Sequence, residues 1–174
     1  VSAAGAPGRA GTTAGSSGGA YFDAGSHYMN ISGSVFISSG GGIAFEAYGS
    51  TYVVTDSFFR GESVNSGGMY LEVSGGHTLH RSTFTAMNWA GLSMWDGATA
   101  ADGVQISSSY FYADGNGTGF ETSIKGRFSI SGSTFISRTG QAADLGADIG
   151  FSVTDSLFRA GGSWGVSFYN GFGP

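Results

Sequence analysis

The octapeptide ISGSVFIS at residues 31–38 is repeated almost unchanged as ISGSTFIS at residues 130–137. Between the two copies the same spacing recurs: an aliphatic residue, a serine three positions later, and a phenylalanine two positions after the serine. The pattern occurs six times, with its phenylalanines at Phe36, Phe59, Phe84, Phe111, Phe135 and Phe158. Successive phenylalanines are 23, 25, 27, 24 and 23 residues apart. A period of this length is typical of a repeat architecture.

Apolar residues alternate with polar ones inside each repeat. Pairs such as Tyr52/Val54 and Phe128/Ile130 lead into the serine, and glycine-led stretches such as residues 67–71 (GGMYL) follow the phenylalanine. Alternation with a period of two is the side-chain period of a β-strand, whereas a helical period does not persist anywhere in the chain. Gly, Ser, Asn and Asp separate these stretches, so each repeat is predicted to hold three short strands.

Three short strands cannot satisfy their backbone hydrogen bonds within one repeat, but they can pair in register with the equivalent strands above and below. The sequence therefore predicts an all-β parallel β-helix, or solenoid, with about 24 residues and three short strands per coil. We expect about six to seven coils in residues 18–174, and a low-complexity linker or a degenerate first coil in residues 1–17.

Neither end of the chain carries an amphipathic cap, and the last repeat is an ordinary one. Because the end coils of a solenoid leave backbone groups and core side chains uncovered, we expect residues 18–174 to be a segment of a longer chain. Further coils or neighbouring protein chains are the expected partners at both ends.

The repeated positions define the expected core. The six phenylalanines should stack as an internal aromatic column beside the aliphatic residues that precede them. The repeated serine should also face inward, because it is small and its hydroxyl can bond to neighbouring backbone. We interpret these serines as structural residues and not as nucleophiles; they are Ser34, Ser57, Ser82, Ser109, Ser133 and Ser156.

The chain resembles a right-handed parallel β-helix, and the short elements that recur in its coils are similar to the repeats of Chlamydia-type polymorphic outer membrane proteins. Those repeats combine a Gly-Gly-apolar element with a Phe-x-x-Asn element. The first element is matched at residues 18–21 (GGAY), 41–43 (GGI) and 67–70 (GGMY), whereas the asparagine of the second is absent from all six repeats. The resemblance implies a secreted, adhesive module on a cell surface.

Composition and net charge argue against several classes of function. The net charge is −5, and the seven Lys and Arg residues do not form a stripe, so we expect no nucleic-acid partner. The absence of cysteine excludes disulfides and thiolate metal sites. No run of 18 apolar residues is present, so no membrane span is expected in this segment. We expect no cofactor, no enzymatic activity, and an extracellular or cell-surface location for a rigid fibre or scaffold segment.

Acidic residues provide the main alternative. Counting four residues from each landmark glycine places Asp23, Glu46 and Glu72 in one predicted outward column. Such a column could be a solvated acidic stripe, a weak candidate site for Ca²⁺, or the carboxylates of a retaining glycosidase. The last interpretation makes the chain a carbohydrate-active β-helix enzyme or a phage-type tailspike fragment.

Aromatic residues at predicted outward positions form a candidate contact surface for sugars or for another subunit. These residues are Tyr21, Tyr70, Trp95, Tyr110 and Tyr169.

Three further motifs suggest functions. Asn30-Ile-Ser32 and Asn116-Gly-Thr118 match the N-glycosylation sequon. His77 and His80 are three apart in a predicted strand, so they should point to opposite faces and should not share a metal ion. A column of outward Ser and Thr residues, interrupted by His80, leaves ice binding as a third functional hypothesis.

Overall fold

The computed structural model describes residues 2–3, 20–73, 76–96, 103–124, 126–147, 149–162 and 164–169. The described residues form strands joined by turns, with no helix among them. The strands are β1 (Ser2–Ala3), β2 (Ala20–Ser32), β3 (Val35–Ser38), β4 (Phe45–Thr55), β5 (Phe58–Gly61), β6 (Met69–Val73), β7 (His77–His80), β8 (Thr83–Ala86), β9 (Leu92–Asp96), β10 (Val104–Ser107), β11 (Tyr110–Ala113), β12 (Phe120–Ile124), β13 (Arg127–Ser131), β14 (Thr134–Ser137), β15 (Ala143–Ala147), β16 (Gly150–Thr154), β17 (Leu157–Ala160) and β18 (Val166–Tyr169).

Every described strand pair is parallel, and each coil contributes a first, a second and a third strand. The first strands pair in the order β4-β6-β9-β12-β15-β18, and the second strands in the order β4-β7-β10-β13-β16. Because β2 and β4 continue round the corner, these two sets count as one sheet of 12 strands. The third strands form a separate six-stranded sheet in the order β3-β5-β8-β11-β14-β17. The predicted parallel solenoid with three strands per coil is therefore confirmed.

The register of the third strands reproduces the sequence period. Phe36 lies opposite Phe59, and the equivalent phenylalanines follow one another to Phe158, so that five steps span 122 residues, about 24 per coil. The described residues form about five to six coils, fewer than the six to seven expected. Most of the predicted linker or degenerate first coil, residues 1–17, lies outside the described part of the chain.

The six phenylalanines form the predicted internal column. Neighbouring rings are stacked with centroids 4.6 to 5.1 Å apart and interplanar angles of 3 to 9°. The four central rings are fully buried, whereas Phe36 and Phe158 are partly buried. Each fully buried side chain stabilises the fold by about 1.5 to 3 kcal/mol through removal of apolar surface from water.

A ladder of serine hydroxyls runs beside the phenylalanines. The Ser109 hydroxyl donates to the Ser107 carbonyl at 2.9 Å and accepts the backbone N–H of Ser82 from the neighbouring coil at 3.2 Å. The same two bonds recur from Ser57 to Ser156. The expectation that these serines face inward and bond to backbone is therefore confirmed, and the ladder links each coil to the next.

A tight corner separates the second and third strands. One residue at this corner has φ between 45 and 56° in six successive coils; these residues are Gly33, Asp56, Arg81, Ser108, Gly132 and Asp155. The left-handed region favours glycine and tolerates Asp best among the others. Because the corner has this one-residue geometry, the spacing between the serine column and the strand before it stays constant along the chain.

The corner before the first strands instead requires close backbone approach. A Cβ atom added to Gly91 would lie 2.7 Å from the carbonyl oxygen of Gly119 and 2.8 Å from that of Phe84. Glycine therefore marks this corner, as the repeated Gly-apolar element predicted. The loops that lead to it vary in length between coils, however, and this variation matters for the outward residues.

Candidate functional site

The outward side of the first strands carries most of the acidic and aromatic side chains of interest. Two columns of outward residues run along it in register. We call this surface the acidic–aromatic face; it comprises Glu46, Tyr70, Ser93, Glu121 and Asp144 in one column, Tyr48, Glu72, Trp95 and Tyr169 in the other, and Trp89 in the adjoining turn.

The register corrects the predicted acidic column. Glu46 lies opposite Tyr70, whereas Glu72 lies opposite Tyr48, so the two glutamates stand in different columns. The expectation failed because the landmark glycine is not at a fixed distance from the strand. Gly42 precedes the first residue of β4 by three positions, and Gly68 directly precedes β6. The side chain of Asp23 lies outside the described residues.

A hydrogen-bonded chain of side chains crosses the centre of the acidic–aromatic face. The indole N–H of Trp95 donates to the Ser93 hydroxyl at 2.6 Å, and this hydroxyl donates to the Glu121 carboxylate at 2.8 Å. Ser93 is buried beneath its neighbours, while 44% of Trp95 is exposed. The network therefore fixes an exposed indole ring against a carboxylate that lies one coil further along the chain and on the adjacent strand.

Burial raises the pKa of Glu121, and the charge of Asp144 on the next strand raises it further. Hydrogen bonds from Ser93 and Trp89 act in the opposite direction, because they stabilise the carboxylate. Glu121 and Asp144 are register partners on adjacent strands. Two carboxyl groups in different environments thus lie one strand spacing apart.

Tyr70 lies among the glutamates on the same face. Its ring centroid is 6.0 Å from that of Tyr48, whose hydroxyl donates to the Glu46 carboxylate at 2.6 Å, and 6.4 Å from that of Trp89. Burial, followed by the negative charges of Glu72, Glu46 and Glu121, raises the pKa of Tyr70. The aromatic rings and carboxylates therefore alternate over a continuous patch.

Tyr169 closes the C-terminal side of this patch. Its hydroxyl donates to the Thr122 carbonyl at 3.0 Å. A Cβ atom added to Gly146 would lie 2.5 Å from the Tyr169 ring, so the missing side chain of Gly146 provides the space over which the ring folds. Tyr169 remains 36% exposed.

The five predicted contact residues do not form one surface. Tyr70, Trp95 and Tyr169 belong to the acidic–aromatic face, whereas Tyr110 lies on the outward side of the third strands and is 37% exposed. The side chain of Tyr21 lies outside the described residues. Sequence reasoning did not assign Glu121, Asp144 and Ser93 to this face. Alignment of the repeats on their alternating apolar residues, instead of on their glycines, would have placed these three residues there.

The two histidines lie on opposite faces, as predicted. His77 is buried, and its Nδ1 accepts the backbone N–H of Tyr52 at 3.1 Å. His80 stands in the outward hydroxyl column and lies 2.7 Å from the Ser107 hydroxyl. Burial lowers the pKa of His77 to about 4. In the described part of the chain, no three His, Cys, Asp or Glu side chains come together as metal ligands.

Both sequon asparagines are exposed. Asn30 lies on β2, and Asn116 lies in the turn after β11, where its side-chain oxygen accepts the Thr139 hydroxyl at 2.9 Å. Glycosylation of either residue stays a prediction.

Among the described residues no helix has the length and apolar character needed to cross a bilayer. Comparison with protein-family models, with curated proteins and with solved structures found no match.

Proposed function

We propose that this chain is a rigid, non-enzymatic scaffold segment of an extracellular or cell-surface protein, and that its acidic–aromatic face makes contacts with glycans or proteins. One observation carries the proposal. Exposed aromatic rings and carboxylates are held in fixed positions on adjacent first strands, with Trp95 locked to Glu121 through the buried Ser93 hydroxyl. Rings with one polar edge are the residues that proteins use most at contact surfaces.

Rigidity follows from the way the coils are joined. Each internal strand pairs on both sides, the phenylalanine rings stack without interruption, and the serine ladder adds a hydrogen bond at each step. Side chains on such a body lose little conformational freedom when a partner binds, which favours affinity. The resemblance to Chlamydia-type polymorphic outer membrane protein repeats supports a surface location and an adhesive role.

Exposed apolar side chains on the C-terminal strands support a neighbouring protein chain as a partner. Val153, Leu157 and Phe168 occupy positions on β16, β17 and β18 and are 36%, 54% and 48% exposed. Exposed apolar patches are typical of protein contact surfaces.

A specific observation also favours a second function, that of a carbohydrate-active enzyme. Glu121 and Asp144 lie on adjacent strands, about 4.8 Å apart at the backbone. Retaining glycosidases place two carboxyl groups about 5 to 5.5 Å apart, and the acid of the pair has a raised pKa. In this role Glu121 would be the proton donor and Asp144 the nucleophile.

One experiment tests both functions. The purified chain is applied to arrays of immobilised glycans and extracellular matrix proteins, and soluble polysaccharides are assayed for released reducing ends. We expect retention without cleavage, and we expect loss of retention in a Trp95→Ser/Tyr70→Ser double variant, which takes the serines found in the same columns at Ser123 and Ser93. The matched control is Tyr28→Thr on the second-strand face, where the neighbouring strand carries Thr51.

The outcomes separate the two functions. If the double variant is retained as well as the unsubstituted chain, the acidic–aromatic face is not the contact surface. If the chain releases reducing ends and Glu121→Gln abolishes the release, the protein is an enzyme and the scaffold proposal is wrong.

A further inference from the structure

A separate slot opens on the outward side of the third strands, on a different face of the solenoid. Its volume is about 380 Å³, within the range of small-molecule sites. The slot lies over β8, whose outward residues Thr83 and Thr85 are small, and it is bounded by β5 and β11 on either side. It exists because both outward residues of β8 are threonines, whereas β5 and β11 carry larger side chains at the same register positions.

Aromatic side chains line the two sides of the slot, and threonine side chains lie at its base. Phe58 and Tyr110 are the register neighbours of Thr83 on β5 and β11. Tyr112 stacks beside Tyr110 with ring centroids 6.3 Å apart. No hydrogen bond engages the hydroxyl of Thr83 within the part of the chain that the structure describes, so this hydroxyl is available to a ligand.

The width of the slot admits one ring. Because β5 and β11 are two strand spacings apart, their backbones are separated by about 9 to 10 Å. A ring held between two walls at van der Waals distance needs about 3.5 to 4 Å on each side, so a single ring fits over Thr83.

Charged groups at the rim are balanced. The Asp114 carboxylate lines the slot, accepts the Tyr112 hydroxyl at 2.9 Å, and pairs with Arg138 at 3.3 Å. On the other side Arg60 pairs with Glu62 at 3.4 Å. Hydrogen bonds from Tyr112 and then Arg138 lower the pKa of Asp114, so its carboxylate is an ionised acceptor. Balanced charge does not favour a phosphate or a sulfate, so the rim suits an uncharged ligand.

We propose that this slot is a binding site for one neutral pyranose ring of a carbohydrate. The C–H faces of the sugar pack between Phe58 and Tyr110, and one of its hydroxyl groups bonds to Thr83. The site lies outside the acidic–aromatic face and does not depend on the scaffold role proposed above.

Saturation-transfer difference NMR with defined probes tests the proposal. The probes are the methyl glycosides of glucose, galactose, mannose and N-acetylglucosamine, with glucuronic acid as the anionic comparison, each at millimolar concentration. We expect at least one neutral glycoside to bind and glucuronic acid to bind more weakly. Absence of binding by all four neutral probes, or preferential binding of glucuronic acid, would overturn the proposal.

Three variants locate the site. Tyr110→Thr removes one wall of the slot. It introduces the residue that the same column carries at Thr83 and Thr134. We expect it to weaken sugar binding about tenfold, which corresponds to about 1.4 kcal/mol. Thr83→Phe places an aromatic ring in the slot, between Phe58 and Tyr110, and should abolish binding. Tyr28→Thr makes the same change as the first variant on another face and should bind as the unsubstituted chain does.

The binding of each variant supports or contradicts the proposed position of the sugar. Unchanged binding by Tyr110→Thr or by Thr83→Phe would place the sugar elsewhere. If Tyr110→Thr proves unstable in a thermal unfolding measurement, Thr83→Phe carries the test alone. Retention on the arrays through Trp95 is measured independently, so a failed slot leaves the proposed scaffold function standing.

Discussion

His77 makes the stability of the solenoid dependent on pH. The imidazole is buried in the core beside Tyr52, with ring centroids 5.6 Å apart, and its Nδ1 accepts a backbone N–H. This geometry requires the neutral ring, since Nδ1 cannot accept a hydrogen bond when it is protonated. The Nε2 atom is buried without a partner among the described residues. Replacement of His77 by Gln keeps an acceptor and removes the titration.

The magnitude follows from the pKa of His77, which burial lowers from 6.5 to about 4. Above pH 6.5 the imidazole is neutral in both states, and its neutral form is fully accommodated by the fold. As the pH falls below 6.5, the unfolded chain binds a proton that the folded chain does not, so folding loses stability. The loss continues to about pH 4 and amounts to about 3 kcal/mol, at about 1.36 kcal/mol per pKa unit.

Urea unfolding followed by circular dichroism measures this loss at pH values from about 7 to about 4. The free energy of unfolding should fall with acidification in the unsubstituted chain, and His77→Gln should lose about 3 kcal/mol less over the same interval. The matched control is His80→Gln, the same substitution in the outward hydroxyl column, which should keep the acid sensitivity.

The prediction is tested by how steeply the free energy of unfolding falls with pH in each chain. His77→Gln has a different stability at neutral pH because the packing changes, so only the change with pH is informative. An acid loss in His77→Gln as large as in the unsubstituted chain would show that His77 is not the buried titrating group.

Three further changes test the core. Phe84→Ala should cost about 3 to 5 kcal/mol of unfolding free energy, and Phe158→Ala should cost less because its ring is only partly buried; equal costs in urea unfolding would contradict the closed central column. Gly91→Ala should lower the thermal midpoint because the added methyl meets two carbonyl oxygens, whereas Gly165→Ala should be tolerated because a Cβ there has no atom within 4 Å; equal midpoints would refute the corner geometry. Ser109→Ala should cost about 1 to 3 kcal/mol by leaving a buried N–H unpaired, and an unchanged urea midpoint would show that the hydroxyl ladder does not stabilise the coils.

The architecture could be predicted from the sequence because a solenoid repeats one environment. A phenylalanine in the pattern meets the same neighbours in every coil, so Phe84 and Phe111 stack as their spacing indicated. The serine column followed for the same reason. The corner before it contains a single left-handed residue in every coil, and a corner of constant length keeps the residues on both sides of it in register.

The outward surface could not be predicted to the same degree, because the other corners vary in length. Glycines at those corners stand at different distances from the following strand, so Glu46 and Glu72 were assigned to one column and lie in two. The network from Trp95 through Ser93 to Glu121 joins residues from two coils, and no local pattern specifies such a contact.

Alternation of apolar residues and the repeat length were thus sufficient to specify a stack of parallel coils with buried rings, because burial of apolar surface imposes the same demand at each repeat. The neighbours of each exposed side chain depend on loop length and on the size of residues one coil away. Those are properties of the folded chain: the slot over Thr83 exists only because its two spatial neighbours, Phe58 and Tyr110, are large.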